Sequence, residues 1–156
     1  MFEPQGPFQD PSKVQSSSKN ATQEAQAQLD FEIDFFERIL AKAPEYLAVL
    51  QAHANNLSAK GLHARGLAAD RRIVELRPKD PIAYYNLACS YSLLQMSDAA
   101  LDSLHSSLKL GYSDFQHVLD DPDLEYLRKD TRFPKLLGRF LQKALSPSKV
   151  SRRKKS

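Results

Sequence analysis

Shifted by 34 residues against itself, the middle of this chain falls back onto its own pattern. The shift carries Ile39 onto Ile73, Pro44 onto Pro78, Leu50 onto Tyr84, Ala54 onto Ala88 and Leu57 onto Tyr91. It also carries Gly66 onto Ala100, Leu67 onto Leu101, Val74 onto Leu108 and Leu76 onto Leu110. Small residues land on small ones and large apolar residues on large ones. Apolar side chains recur at helical spacing on both sides of a break, so each unit reads as helix–turn–helix. Units this short cannot bury an apolar face alone, and they gain a core only by stacking on neighbours. The expected fold class is all-α.

The rest of the chain divides around this repeat. Residues 1–20 hold Pro4, Gly6, Pro7, Pro11 and the run Ser16-Ser17-Ser18. With few apolar side chains they cannot offset the entropy of ordering, and a disordered arm is expected. A leading helix is expected within 21–46, where Leu29, Ile33, Phe36, Ile39 and Leu40 share one face and Pro44 ends the run. The repeat units are 47–80 and 81–114. Closing helices follow over 115–145, and residues 146–156 form a basic tail expected to be disordered.

At the repeat residues the chain resembles the tetratricopeptide-repeat family. Tyr84, Leu87, Ala88, Tyr91, Ala100, Leu101 and Leu108 look like its large–Leu–small–aromatic pattern on helix A and its small residue on helix B. The first unit keeps Leu50, Ala54, Leu57, Gly61 and Pro78 but has His53 in place of Leu and Asp70 in place of an aromatic. A further resemblance lies in Leu110–Phe115, Asp121–Arg128 and Asp130–Leu137, which are similar to the closing module of some bacterial tetratricopeptide arrays. Asp121 before Pro122, and Asp130 or Thr131, are suited to cap helices there. About three repeats are needed for a stable stack. The leading helix and the closing helices supply the missing neighbours. The resemblance therefore implies a short right-handed helical solenoid of six or seven helices.

Composition narrows the function classes. The chain has one Cys, no Trp and 5 Gly, which excludes a disulfide-stapled or collagen-like scaffold. No run approaches the roughly 18 apolar residues that span a bilayer. No apolar stretch follows the initiating methionine, so a secretory leader is not expected, and a cytoplasmic location is. Net charge is +3, yet residues 146–156 hold five basic and no acidic side chains. The body is thus slightly acidic, and the basic character belongs to the tail.

Enzyme, cofactor and metal chemistry find no support in these residues. His53, His63, His105 and His117 stand at no ligand spacing, and His53 falls at a core position, where it is read as a packed, hydrogen-bonded residue. Cys89 has no base near it in sequence and reads as a small filler facing the groove. The cluster Asp120-Asp121-Pro122-Asp123 lacks the glycine and distal Glu of a calcium loop, and capping accounts for it. There is no Gly-rich phosphate loop.

What the family resemblance does imply is a groove. Its helix-A groove positions fall at Ala48, Gln51, Asn55, Ser58 and Ala59, then at Ile82, Tyr85, Cys89, Ser92 and Leu93, with the Asn86 amide beside them. Tyr84 is assigned to the core and Tyr85 to the groove surface, since successive helical residues point about 100° apart. Some family members clamp a C-terminal carboxylate with Lys, Asn and Arg. Here Asn55 and Asn86 match, but Gln51, Gln116 and Asp120 stand where cations are needed, so that clamp is rejected. Two functions remain open. One is a non-enzymatic adaptor, scaffold or small assembly or secretion chaperone gripping a protein partner's peptide or helix, with a homodimer also possible. The other is a tether to nucleic acid or an anionic surface through Lys149, Arg152, Arg153, Lys154 and Lys155.

Overall fold

The computed structural model describes the backbone of residues 11–146 and the side chains of residues 20–146. Among the described residues the fold is all-α, with no strand. Its helices are α1 (Pro11–Lys42), α2 (Leu47–Ala59), α3 (His63–Leu76), α4 (Pro81–Leu93), α5 (Ser97–Lys109), α6 (Phe115–Asp120), α7 (Glu125–Arg128) and α8 (Arg132–Leu145). A 3₁₀ turn at Pro122–Leu124 separates α6 from α7. Consecutive helices pack on one another from α1 through α5, and the closing turn, α7 and α8 then fold back onto α4 and α5. The chain is a short helical solenoid.

The internal repeat sets the element boundaries. Both α2 and α4 have 13 residues, and the second starts and stops 34 positions after the first. Helices α3 and α5 also start 34 positions apart. The pattern residues are where close packing needs them. Ala88 and Ala100 are fully buried where α4 crosses α5, and Ala54, Leu57, Leu67 and Ile73 are buried in the preceding unit. One cluster joins Leu50, Ala54, Ala69, Ile73 and Ala83. A larger one runs from Leu67 through Leu87, Leu101, Leu104 and Leu108 to Leu124, Leu127, Phe133 and Leu137.

Aspartates start several of these helices. Asp80 caps α4 ahead of Pro81, Asp114 caps α6, and Asp121 caps the 3₁₀ turn ahead of Pro122. Such caps satisfy donors left free at a helix start and contribute about 1 kcal/mol each. At α8 the choice between two candidates falls to Asp130, which accepts from the Arg132 N–H at 2.9 Å, while Thr131 makes no side-chain cap bond.

Some expectations are corrected. Helix α1 begins at Pro11, so residues 11–20 of the expected disordered arm are helical. Pro11 suits a first helical position, and neither Gly nor Pro interrupts the chain from Ser12 to Ala43, so nothing stops the helix from growing. Residues 1–10 of the arm lie outside the described residues. The described residues also hold eight α-helices instead of six or seven, because the closing stretch breaks at the extended Asp121 and Pro122 into short pieces. The basic tail beyond Ser146, with Lys149, Arg152, Arg153, Lys154 and Lys155, lies outside the described residues.

Candidate functional site

A cavity of about 370 Å³ opens between α2, α4 and the closing turn. Helix α2 supplies Ala54, Asn55, Ser58 and Ala59 to its wall, and α4 supplies Tyr85, Asn86, Cys89, Ser90 and Leu93. Asp70 from α3, His117 from α6, and Asp121 and Asp123 from the turn complete it. Most of the groove residues expected from the repeat register are thus brought together: Asn55, Ser58, Tyr85, Asn86, Cys89 and Leu93.

Others are not. Ile82 is 56% exposed and lies outside the cavity, as does the half-buried Gln51. Ser92 is fully buried, and its hydroxyl accepts from the Leu127 N–H at 3.3 Å. It is a core residue, because the closing segment lies over the face of α4 that the register leaves open. The same cover corrects the tyrosine assignment. Tyr85 is 4% exposed, whereas Tyr84 is only half-buried. The Tyr85 ring stacks on Tyr112 with centroids 4.5 Å apart, and its hydroxyl donates to Asp121 Oδ2 at 2.6 Å.

Asp121 is the hub of this cover. Its Oδ1 accepts from the Asp123 N–H at 2.9 Å, which is the expected cap. Its Oδ2 takes the Tyr85 hydroxyl and, over 3.8 Å, the Cys89 thiol, with His117 Nε2 at 3.3 Å. Burial, and then the Asp121 and Asp123 carboxylates, push the Cys89 thiol up, so it stays protonated and serves as a donor. Burial and the bond to Asp121 push Tyr85 the same way.

Asp70 is the second feature of the site. It is 7% exposed, and its Oδ2 accepts from the Ser90 hydroxyl at 2.5 Å. Burial raises its carboxyl to about 6 against this hydrogen bond. Asp123 is also raised, first by burial and then by Asp121, with His63 acting in the opposite direction. Sequence reasoning alone misses these acids as site residues. Asp70 carries a signal, since it stands where the repeat wants an aromatic. Capping accounts for Asp121 and Asp123, and nothing local in sequence points from them to α4.

His53 is packed as expected, at 7% exposure, but it is not fully hydrogen-bonded. Its Nδ1 has no partner among the described residues, and its Nε2 lies 3.8 Å from Glu37 Oε1, too far for a hydrogen bond. Burial lowers its pKa, so the imidazole is held neutral. Among the described residues, no three His, Cys, Asp or Glu side chains gather as metal ligands. No described helix is long and apolar enough to cross a membrane.

Comparison with known proteins gives a partial relative. A stretch of 70 residues, 45% of the chain, is 43% identical to a chloroplastic protein of Arabidopsis thaliana. The chain spans only 21% of that protein's length. No protein-family profile and no solved structure matches the chain.

Proposed function

We propose that this chain is a tetratricopeptide-type adaptor without catalytic activity, which holds an extended segment or helix of a partner protein in the groove between α2 and α4. The observation that carries this reading is the cavity itself. It gathers the Asn55 and Asn86 amides, the Ser58 hydroxyl and the Leu93 side chain from neighbouring repeats onto one open wall. Amides of this kind can donate to and accept from a peptide backbone, and an apolar neighbour gives a side chain a place to pack. An assembly-chaperone or scaffold role fits the same surface. The relative is chloroplastic, so a plastid is a compartment to test beside the cytoplasm.

A photo-crosslinking residue placed at Asn55 or Asn86 tests this directly. Partner adducts are expected from both positions and not from Glu75, which is exposed on α3 outside the cavity. Adducts from Glu75 alone would overturn the groove reading. The tether reading has one observation in its favour. Lys135, Arg139 and Lys143 follow one another at four-residue steps along α8, and none makes an ion pair among the described residues. Salt-sensitive binding of a nucleic-acid duplex, lost on deleting residues 147–156, would favour it.

A further inference from the structure

We propose that the floor of the groove is a seat for a cation carried by the partner, the guanidinium or ammonium head of an arginine or lysine in the bound segment. This inference rests on the groove reading above and names the chemistry of its ligand.

Three carboxylates from two separate parts of the fold reach the cavity: Asp70 on α3, and Asp121 and Asp123 at the 3₁₀ turn. Among the described residues, no Lys or Arg lines the wall. The one basic side chain there among the described residues, His117, lies beside Asp121 and is half exposed. Asp121 is already occupied by Tyr85, Cys89 and the Asp123 N–H. The acceptors left over are those of Asp123, whose carboxylate takes no hydrogen bond among the described residues, and Oδ1 of Asp70, which takes none either.

Asp70 points independently to a ligand. The repeat shift carries it onto Leu104, which is fully buried in the core of the following unit. The chain therefore puts an acid, more than nine-tenths buried, at a position built for a hydrocarbon. Among the described residues a single neutral hydroxyl, that of Ser90, answers it. Buried carboxylates are ordinarily discharged by a cation, and none comes from the described residues. The carboxylates do not cluster tightly enough to share a metal ion. They line a cavity of about 370 Å³, which has room for an organic cation. An ammonium or guanidinium group entering between Asn55 and Asn86 would give Asp70 and Asp123 charge-assisted partners.

The test uses the full chain and fluorescence anisotropy. The probes are labelled nine-residue peptides of Ala, Ser and Gly with one central residue: arginine, lysine, citrulline or glutamate. Arginine and lysine probes are expected to bind, with citrulline about tenfold weaker and glutamate weaker still. Asp70→Asn and Asp123→Asn should each weaken the arginine probe about fivefold to tenfold and leave the citrulline probe unchanged. Asp102→Asn, which removes the same charge from an exposed site on α5, should change neither. Equal binding of arginine and citrulline, tighter binding of glutamate, or an equal loss with Asp102→Asn would overturn the proposal. If no cationic probe binds while Asn55 crosslinks a partner, the cation seat falls and the groove reading stands. If both fail, both fall.

Discussion

Helices α2 and α4 occupy the same place in successive repeats, yet they meet water differently. At the register pairs Gln51 and Tyr85, Asn55 and Cys89, and Ser58 and Ser92, the α2 member is exposed or half-buried and the α4 member is buried. Only at Ala48 and Ile82 are both exposed. Each helix has the same two lateral neighbours that a solenoid provides. The difference is that α4 also carries the closing turn and α7 across its groove face. Repeat position fixes which way a side chain points, while its burial depends on what lies beyond.

The largest expected effect comes from breaking that cover. Tyr85→Ala removes a buried ring, its stack on Tyr112 and the bond to Asp121, and should cost about 3–5 kcal/mol in denaturant unfolding. Gln51→Ala, at the matching place on α2, should stay within about 0.5 kcal/mol. Equal losses would erase the distinction between the two faces.

The buried acid gives the next contrast. The native Asp70 carboxyl titrates at about 6, above its ordinary 3.8. Between these values the folded chain holds a proton that the unfolded chain releases, so stability falls as pH rises through that window. Above pH 6 the cost is fully present, and the shift corresponds to about 3 kcal/mol. Asp70→Asn should therefore stabilise the fold by about 1–3 kcal/mol at pH 7 and by nearly nothing below pH 4. Thermal melts across that range check both the size and the sign.

Smaller effects sharpen the comparison of the two units. Ala100 is fully buried between α4 and α5, and Ala100→Leu should cost about 1–3 kcal/mol by overpacking. Its counterpart Gly66 has room, since an added Cβ would meet Ala54 O at 3.8 Å and Leu57 Cβ at 3.9 Å, ordinary contacts. Gly66→Ala should gain about 0.5–1 kcal/mol. The turns after α2 and α4 invert this. Gly61 has φ +78, and the matching residue Gln95 holds φ +60 with a side chain. Gln95→Gly should relieve that backbone by up to about 1 kcal/mol. Denaturant unfolding of each single variant checks all three.

The parts legible in the sequence are those encoded locally. Ala54 and Ala88, Gly66 and Ala100, and Leu67 and Leu101 declare the repeat because helix crossings need small residues at fixed intervals, and the helix ends follow. The Asp80-Pro81 and Asp121-Pro122 pairs declare their caps for the same reason. Tyr85 lines the groove as expected but is buried there, because the deciding partner, Asp121, is 36 residues away and belongs to no repeat. Asp70 is visible as a misfit, but only the packed structure shows that the misfit is a buried acid facing an open cavity.

The enclosure of α4 also orders the lifetimes of the helices. In a stack held by contacts between neighbours, the outer layers can detach while the centre stays intact. Helix α1 packs mainly on α2, with Glu37 also paired to Arg65 on α3, so the α1–α2 layer is the cheaper one to open, while exchange of the α4 amides waits for the molecule to come apart. A segment lying between α2 and α4 would bridge a labile layer and a lasting one. Its arrival would then register first as slowed amide exchange in α2, at a distance from the residues that change least.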